Sequence, residues 1–417
     1  MNTNLAIAIR LLLAKKRAML MSLAGIVFGV GLFIATQAQT AGFETFYIRT
    51  ILGTDGAVRI QDRFQNRMSV MTITTDNPSM RTTRVAVGEN RRYEDGIAHP
   101  GEIVEAIERF TNVAGVSPIL RGNVEVDSNF RTQDARLHGI DLPSHLTVSE
   151  LEKQIILGHL EDFRNNPKGV VIGSRLAVRL DVEPGDVVTI SYGGNRDRYR
   201  VSAIFESGVE HVDKRRLFVH MPEARFILQE HFGVSLLQVS LKDNTRAVET
   251  AQHIEENIRH VAIAWQEREK VWLDVFQALR VSSGLTISAI ILISGLGIFN
   301  TLAIIVMEKR HEIAILRSMG YTRGDITRIF LNQGIIVLTL GSIFGCGFGA
   351  LITWGISNIP LRIRGIFTTD HFVVYWSPWH YLVAVLAATV VVMIASYLPA
   401  RKAAALEPGT VIRGAAG

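Results

Sequence analysis

The stretch VSSGLTISAIILISGLGIFNTLAIIVM, residues 281–307, runs for 27 residues without Asp, Glu, Lys or Arg. Three other stretches share this property: residues 18–43, 329–361 and 371–400, of 26, 33 and 30 residues. A helix crossing the hydrocarbon core of a bilayer needs about 20 apolar residues. All four exceed that and are too long for buried helices of a soluble fold. The 417-residue chain is therefore read as one span, a long aqueous segment and three further spans. Composition agrees, at 48% hydrophobic, 20% charged and mean hydropathy +0.22. A soluble domain carries about 25% charge, and a purely membrane-embedded chain would be more apolar. A cleaved signal peptide ending near Ala35-x-x-Ala38 is the alternative for the first span. Its apolar core exceeds the roughly 7–15 residues of such signals, so it is read as a retained anchor.

Lys and Arg near the span ends set the expected direction. Arg10, Lys15, Lys16 and Arg17 precede span 1; Lys309, Arg310, Arg317, Arg323 and Arg328 lie between spans 2 and 3; Arg401, Lys402 and Arg413 follow span 4. The 3–4 loop offers only Arg362 and Arg364. Both termini and the 2–3 loop are expected in the cytoplasm, and the long segment outside. The net charge of +5 is explained by these flanks, so nucleic acid is not an expected partner. The lone cysteine, Cys346, excludes an internal disulfide and lies in an apolar run, where packing is its expected role.

The outside segment is read as α+β. A helical extension of span 1 over Phe43–Leu52 ends at Gly53–Gly56, and Ala57–Gln61 is a strand. Glu102–Phe110 has helical apolar spacing. Val116–Val126 alternates like strands around Gly122-Asn123, and Val148–Leu157 is helical. Strand 170–172, helix 174–180 and strands 187–192 and 199–205 form a small module with tight hairpins. Helix 246–259, strand 261–265 and helix 266–279 lead back to span 2. The polar stretch from Met68 to His99 is read as an insertion.

Sites of familiar chemistry are missing from the sequence. It has no Gly-x-x-x-x-Gly-Lys-Ser/Thr phosphate loop, no His-Glu-x-x-His and no Gly-x-Ser-x-Gly. His211 and Asp213 would be a metal pair only in company, and are expected to be solvated surface. His99, His138, His145 and His159 lack ligand spacing. No charged side chain sits deep in a span, which disfavours a proton relay. Glu308–Met319 reads as a short amphipathic helix that Gly320 can stop in a left-handed cap. Thr322 and Asp325 approximate a capping box that starts span 3. This segment is either a helix docking a partner or an ordinary interfacial helix.

Residues 307–326, MEKRHEIAILRSMGYTRGDI, resemble the coupling segment of the ABC permeases that include LolC/LolE, MacB and FtsX. Gly297-Ile298-Phe299-Asn300-Thr301-Leu302 upstream and residues 397–408, YLPARKAAALEP, are similar to the same family, and Gly139-Ile140-Asp141, 169–186 and 205–208 to its LolC/LolE branch. The implied fold is an α-helical membrane protein with four transmembrane helices in a 1+3 layout. A large α+β domain with a MacB-like periplasmic core lies between spans 1 and 2. The implied parts are a cytoplasmic amphipathic helix in 1–17 (centred on Leu5–Ala14), spans 18–43, 281–307, 322–359 and 378–400, the periplasmic segment 44–280, the coupling helix 308–321, a short periplasmic loop 360–377 and a cytoplasmic tail 401–417.

The resemblance implies a bacterial inner-membrane permease subunit and no enzyme. No cofactor is expected on this chain; ATP and Mg2+ would sit in a separate, LolD-like ATPase. A second permease copy or paralogue, a lipid or lipoprotein substrate and a periplasmic partner complete the implied set. Glu308, Lys309, Glu312, Ile313, Leu316, Arg317, Met319 and Gly320 would couple to the ATPase. Phe28, Phe33, Phe43, Phe46, Phe276 and Leu285, at the outer ends of spans 1 and 2, are candidates to line an acyl-chain cavity. An FtsX-like regulator of envelope enzymes, a MacB-like exporter component, or an anchored sensor without an ATPase are the alternatives. One departure is visible. The hairpin after 187–192 has only Gly193–Asp197, too short for the hook with which the LolC branch receives a soluble lipoprotein carrier.

Overall fold

The computed structural model describes residues 7–10, 12, 16–62, 96–129, 131–258, 260–359 and 372–405. Most of the 68–99 insertion, most of the 360–377 loop, the tail beyond 405 and part of the N-terminal helix lie outside them. The chain divides into a helical unit (residues up to 45 and from 274) and an α/β unit (46–273). Helix α1, Lys16–Asp55, is 40 residues long. At about 1.5 Å per residue it exceeds what a bilayer core requires.

The α/β unit is built on one ten-stranded mixed sheet. Its strands are β1 Val58–Gln61, β2 Val113–Asp127, β3 Thr132–Ile140, β4 Ile155–Gly158, β5 Gly169–Gly173, β6 Val187–Tyr192, β7 Asn195–Phe205, β8 Arg216–His220, β9 Leu236–Leu241 and β10 Val261–Ala264. The order is β10-β1-β9-β2-β3-β8-β5-β7-β4, with β6 paired to β2 and β7. Only β3–β8 and β5–β7 are parallel. Side chains alternate between two buried faces. Leu120, Ile172 and Val219 enter one core, beneath helix α2 (Met221–Leu228), while Ile119, Val171 and Phe218 enter the other.

Three expectations change. Gly122-Asn123 is not a hairpin: both residues pair with β3, and the turn falls at Ser128–Arg131. Pairing with neighbours outweighs the local turn preference. Residues 155–157 belong to β4, paired to β7, rather than to a helix. The small 170–205 module is not separate, because β5 joins β8 within the large sheet. The β6–β7 hairpin closes on Gly193-Gly194 alone, Tyr192 facing Asn195, so no hook extends from it.

In the helical unit, α3 (Lys270–Glu308), α4 (Arg310–Ser318), α5 (Arg323–Ser357) and α6 (Pro378–Ala404) join α1. Four helices, α1, α3, α5 and α6, are long and apolar enough to cross a membrane. Ile26, Val30 and Ile34 of α1 recur at helical spacing and meet Ile291 and Ile298 of α3 and Val337 of α5 in one core. Ala8 and Leu12, one turn apart, are buried in the same core, and Arg10 is exposed. Antiparallel packing of α1 on α3 is fixed by Ser22–Thr301 at 3.3 Å and by Gln37 donating to the Arg280 carbonyl at 3.4 Å. Cys346 is half-buried against this core, in the packing role expected.

Candidate functional site

Helix α4 lies between two apolar helices and is joined to the second by backbone chemistry at its C-terminal end. At its C-terminus Gly320 adopts φ +98°. The Tyr321 N–H donates to the Leu316 carbonyl at 3.2 Å and the Gly320 N–H to Arg317 at 3.2 Å. This is a Schellman closure, which places glycine at the left-handed position. Two residues on, the Thr322 hydroxyl accepts from the Asp325 N–H at 3.2 Å and the Asp325 carboxylate accepts from the Thr322 N–H at 3.1 Å. The capping box read from the sequence is therefore formed.

Ile313 is 3% exposed and buried in the helical core, and Leu316 packs partly against it. Lys309 pairs with Glu312, and the Arg317 guanidinium donates to the Ala404 carbonyl of α6 at 3.4 Å. The exposed row is Glu308, Glu312, Ile315 and Met319, with Ile315 42% and Met319 73% exposed. Ile315 was not among the sequence candidates. Its spacing of four from Met319 was the available signal.

The six aromatic and aliphatic candidates do not form one surface. Phe33 and Phe276 are buried, whereas Phe28 and Leu285 are exposed. Phe28 stacks edge-on against Phe348 of α5, centroids 5.2 Å apart, and Phe43 against Phe372 at 5.3 Å. Phe276 and Leu285 are two and a half turns apart on α3 and so face opposite ways. Phe46 belongs to the α/β unit.

A second concentration of polar groups lies in the α/β unit. Registers Arg59–Gln238, Arg121–His138 and Arg136–Arg216 put these six side chains on one sheet face. All but Gln238 border a cavity of about 520 Å³. Asp55, the last residue of α1, accepts from Arg216 at 2.8 Å, Arg59 at 3.0 Å and Gln238 at 3.2 Å. Arg268 bonds Glu269 at 3.1 Å, and the Tyr47 hydroxyl donates to Glu269 at 2.5 Å. Burial, with Arg216 and Arg121 nearby, holds the His138 imidazole well below its usual range. The cluster went unread in the sequence because its members come from six separate segments.

His211 is exposed at this cavity, but Asp213 is fully buried, not solvated as expected. The Ser207 N–H donates to its carboxylate at 2.8 Å. Among the described residues no group of three or more His, Cys, Asp or Glu could hold a metal. Burial pushes the Asp213 carboxyl up to about 6, against 3.8 in an unfolded chain. The folded state then binds the proton more tightly, so this contribution is full below pH 3.8 and is lost as pH rises through 6, about 3 kcal/mol at most. Buried His138 and His145, both shifted down, act in the opposite sense. Asp213→Asn is therefore expected to be more stable than wild type at pH 7.5, with the advantage vanishing towards pH 4. Denaturant titrations of both proteins across that range check this, since the histidines are common to the two.

One apolar helix, a large inserted α/β unit and three further apolar helices make up the chain, and the matching families name its class as that of the ABC permeases. The family described as MacB-like periplasmic core domain matches residues 19–257, more than half of the chain, and that described as FtsX-like permease C-terminal matches residues 284–408. The chain belongs to this family of FtsX-like permeases with a MacB-like periplasmic core. It is similar to the lipoprotein-releasing system transmembrane protein LolC of Xylella fastidiosa (strain 9a5c), 23% identical over 98% of each chain. The ABC transporter permease YknZ of Bacillus subtilis (strain 168) is 24% identical, also over 98% of each. The macrolide export ATP-binding/permease protein MacB of Psychrobacter cryohalolentis is 32% identical over 30% of this chain and 18% of its own. The resemblance drawn from residues 307–326 and the 1+3 layout both stand, and the chain is a LolC-like, inner-membrane ABC permease.

Proposed function

We propose that this chain relays force from a separate ATPase to its α/β unit. In this reading both termini and residues 308–321 face the cytoplasm and segment 44–280 is periplasmic. The ATPase, carrying ATP and Mg2+, docks on the row Glu308, Glu312, Ile315 and Met319, while Ile313 and Leu316 hold α4 to the helical core. A second copy or paralogue completes the membrane portion. The observation that carries this reading is α4 itself: capped at its C-terminal end, anchored by one buried isoleucine, and presenting two exposed apolar side chains. The apolar cargo is a lipoprotein or another amphiphile lifted from the outer leaflet, consistent with the LolC similarity. The two-residue β6–β7 turn favours release without a carrier docked at that hairpin.

The test is reconstitution of the full chain with an ABC ATPase subunit recovered with it, carrying photo-crosslinkers at the exposed positions Phe28 and Leu285. ATP-dependent adducts with acylated protein are expected. Recovery of the ATPase without any acylated adduct would favour an FtsX-like regulator or MacB-like exporter component, and failure to recover any ATPase would end the reading.

A further inference from the structure

We propose that the arginine-lined cavity of the α/β unit binds a phosphate-bearing anion. Seven Lys and Arg side chains border it against two carboxylates, Asp55 and Glu269. Both carboxylates are already engaged, Asp55 by Arg216, Arg59 and Gln238, and Glu269 by Arg268 and Tyr47. Lys214 pairs with Glu210 at 2.7 Å. Among the described residues, Arg121, Arg136 and Arg215 have no ion pair. The cavity thus retains positive charge that the fold does not neutralise.

Two further observations point to an oxygen-rich ligand. Arg268 has a side chain only 10% exposed, and its Nη1 has no acceptor; Nε of Arg59 likewise has none. Both nitrogens are themselves buried, in residues that line the cavity, and a buried donor without an acceptor is costly. Charge crowding is also felt at Arg121, whose guanidinium is shifted down by burial and by Arg136. Six of the seven cations are arginines, whose planar fork matches phosphate oxygens in pairs, as lysine does not. A volume near 520 Å³ accepts more than one phosphate group or a phosphorylated headgroup. Asp55 ends α1 and Glu269 immediately precedes α3, so an anion here would bear on the ends of both helices. The assignment goes beyond the relay reading and does not depend on it.

The experiment uses the purified full chain in zwitterionic detergent, without other subunits. Inorganic pyrophosphate, titrated calorimetrically at low salt, is the soluble probe; retention of phosphatidylglycerol over phosphatidylcholine in native mass spectrometry is the lipid probe. Arg121→Gln and the exposed Arg136→Gln are the variants, and the remote surface change Arg164→Gln is the control. Each arginine lost is expected to weaken binding at least about tenfold, and added salt to weaken it further. Without ligand, Arg121→Gln should melt no lower than wild type, because crowding is relieved. Binding of pyrophosphate identifies a soluble phosphate ligand, and selective retention of phosphatidylglycerol alone identifies a headgroup. The proposal is overturned if neither probe prefers wild type over the Arg136→Gln protein, or if Arg164→Gln loses as much. It is equally overturned if both cavity variants melt well below wild type without ligand, the mark of purely structural arginines.

Discussion

Ile315→Asp combined with Met319→Asp is expected to abolish ATP-driven output while leaving the chain folded. Both side chains lie at the surface, Met319 73% and Ile315 42% exposed, and neither is a core residue of the isolated subunit. In the assembled complex each would bury an apolar side chain worth about 1.5–3 kcal/mol. Losing both removes about 3–6 kcal/mol, at least a hundredfold in docking, before the cost of burying two carboxylates. ATPase recovered with the affinity-purified permease should fall in step with transport. Ile313→Ala is the contrasting change. Ile313 is buried in the helical core, and its truncation should cost about 2–5 kcal/mol of fold stability and lower the melting temperature. Full coupled turnover in the Ile315/Met319 double variant would refute the placement of the ATPase on α4.

The second large effect concerns the contact between α1 and α5. A Cβ at Gly345 would lie 2.9 Å from the Val30 Cβ, and one at Gly349 would lie 3.0 Å from the Ile34 Cβ. The two helices touch through backbone as much as through side chains, with a Cβ on Gly349 also 3.1 Å from the Gly31 carbonyl oxygen. Such close approach is how small residues join membrane helices. Gly345→Leu must push α1 away from α5, at a cost of about 3 kcal/mol or more, and should yield an aggregated or low-melting protein in detergent. Gly347→Leu, two residues away with nothing within 4 Å of its Cβ position, should behave as wild type. Equal melting temperatures for the two variants would show that the α1–α5 contact does not limit stability.

How much the sequence disclosed depended on the range of the interactions involved. The four apolar helices were legible because bilayer length is a property of consecutive residues. So were the Gly320 stop and the Thr322–Asp325 cap, which are local hydrogen-bond patterns. Gly345 and Gly349 stand four apart in the sequence, but nothing local names their partners, since Val30 and Ile34 lie over 300 residues earlier. Gly122-Asn123 misled because a turn signal says nothing about β3 and β9 waiting on either side of β2. Asp213 looked like surface and proved buried, because the Ser207 N–H that receives it is supplied by tertiary folding. Only helical phase separates the coupling candidate Ile313, turned inward, from Ile315, turned outward and not singled out in the sequence. The arginine cavity was the least legible feature, assembled from residues 55 to 269 by sheet register together with the helix ends beside it.

The junction from α4 to α5 has a mechanical consequence. Between the end of one helix at Ser318 and the start of the next at Arg323, the backbone N–H groups of residues 319, 320, 321 and 322 are all committed to hydrogen bonds. In the relay proposed above, a corner so tied would work as a bell-crank without backlash: tilting one arm would swing the other before any slack is taken up. Lengthening it by even a few glycines would let the short arm move while the long arm stays still.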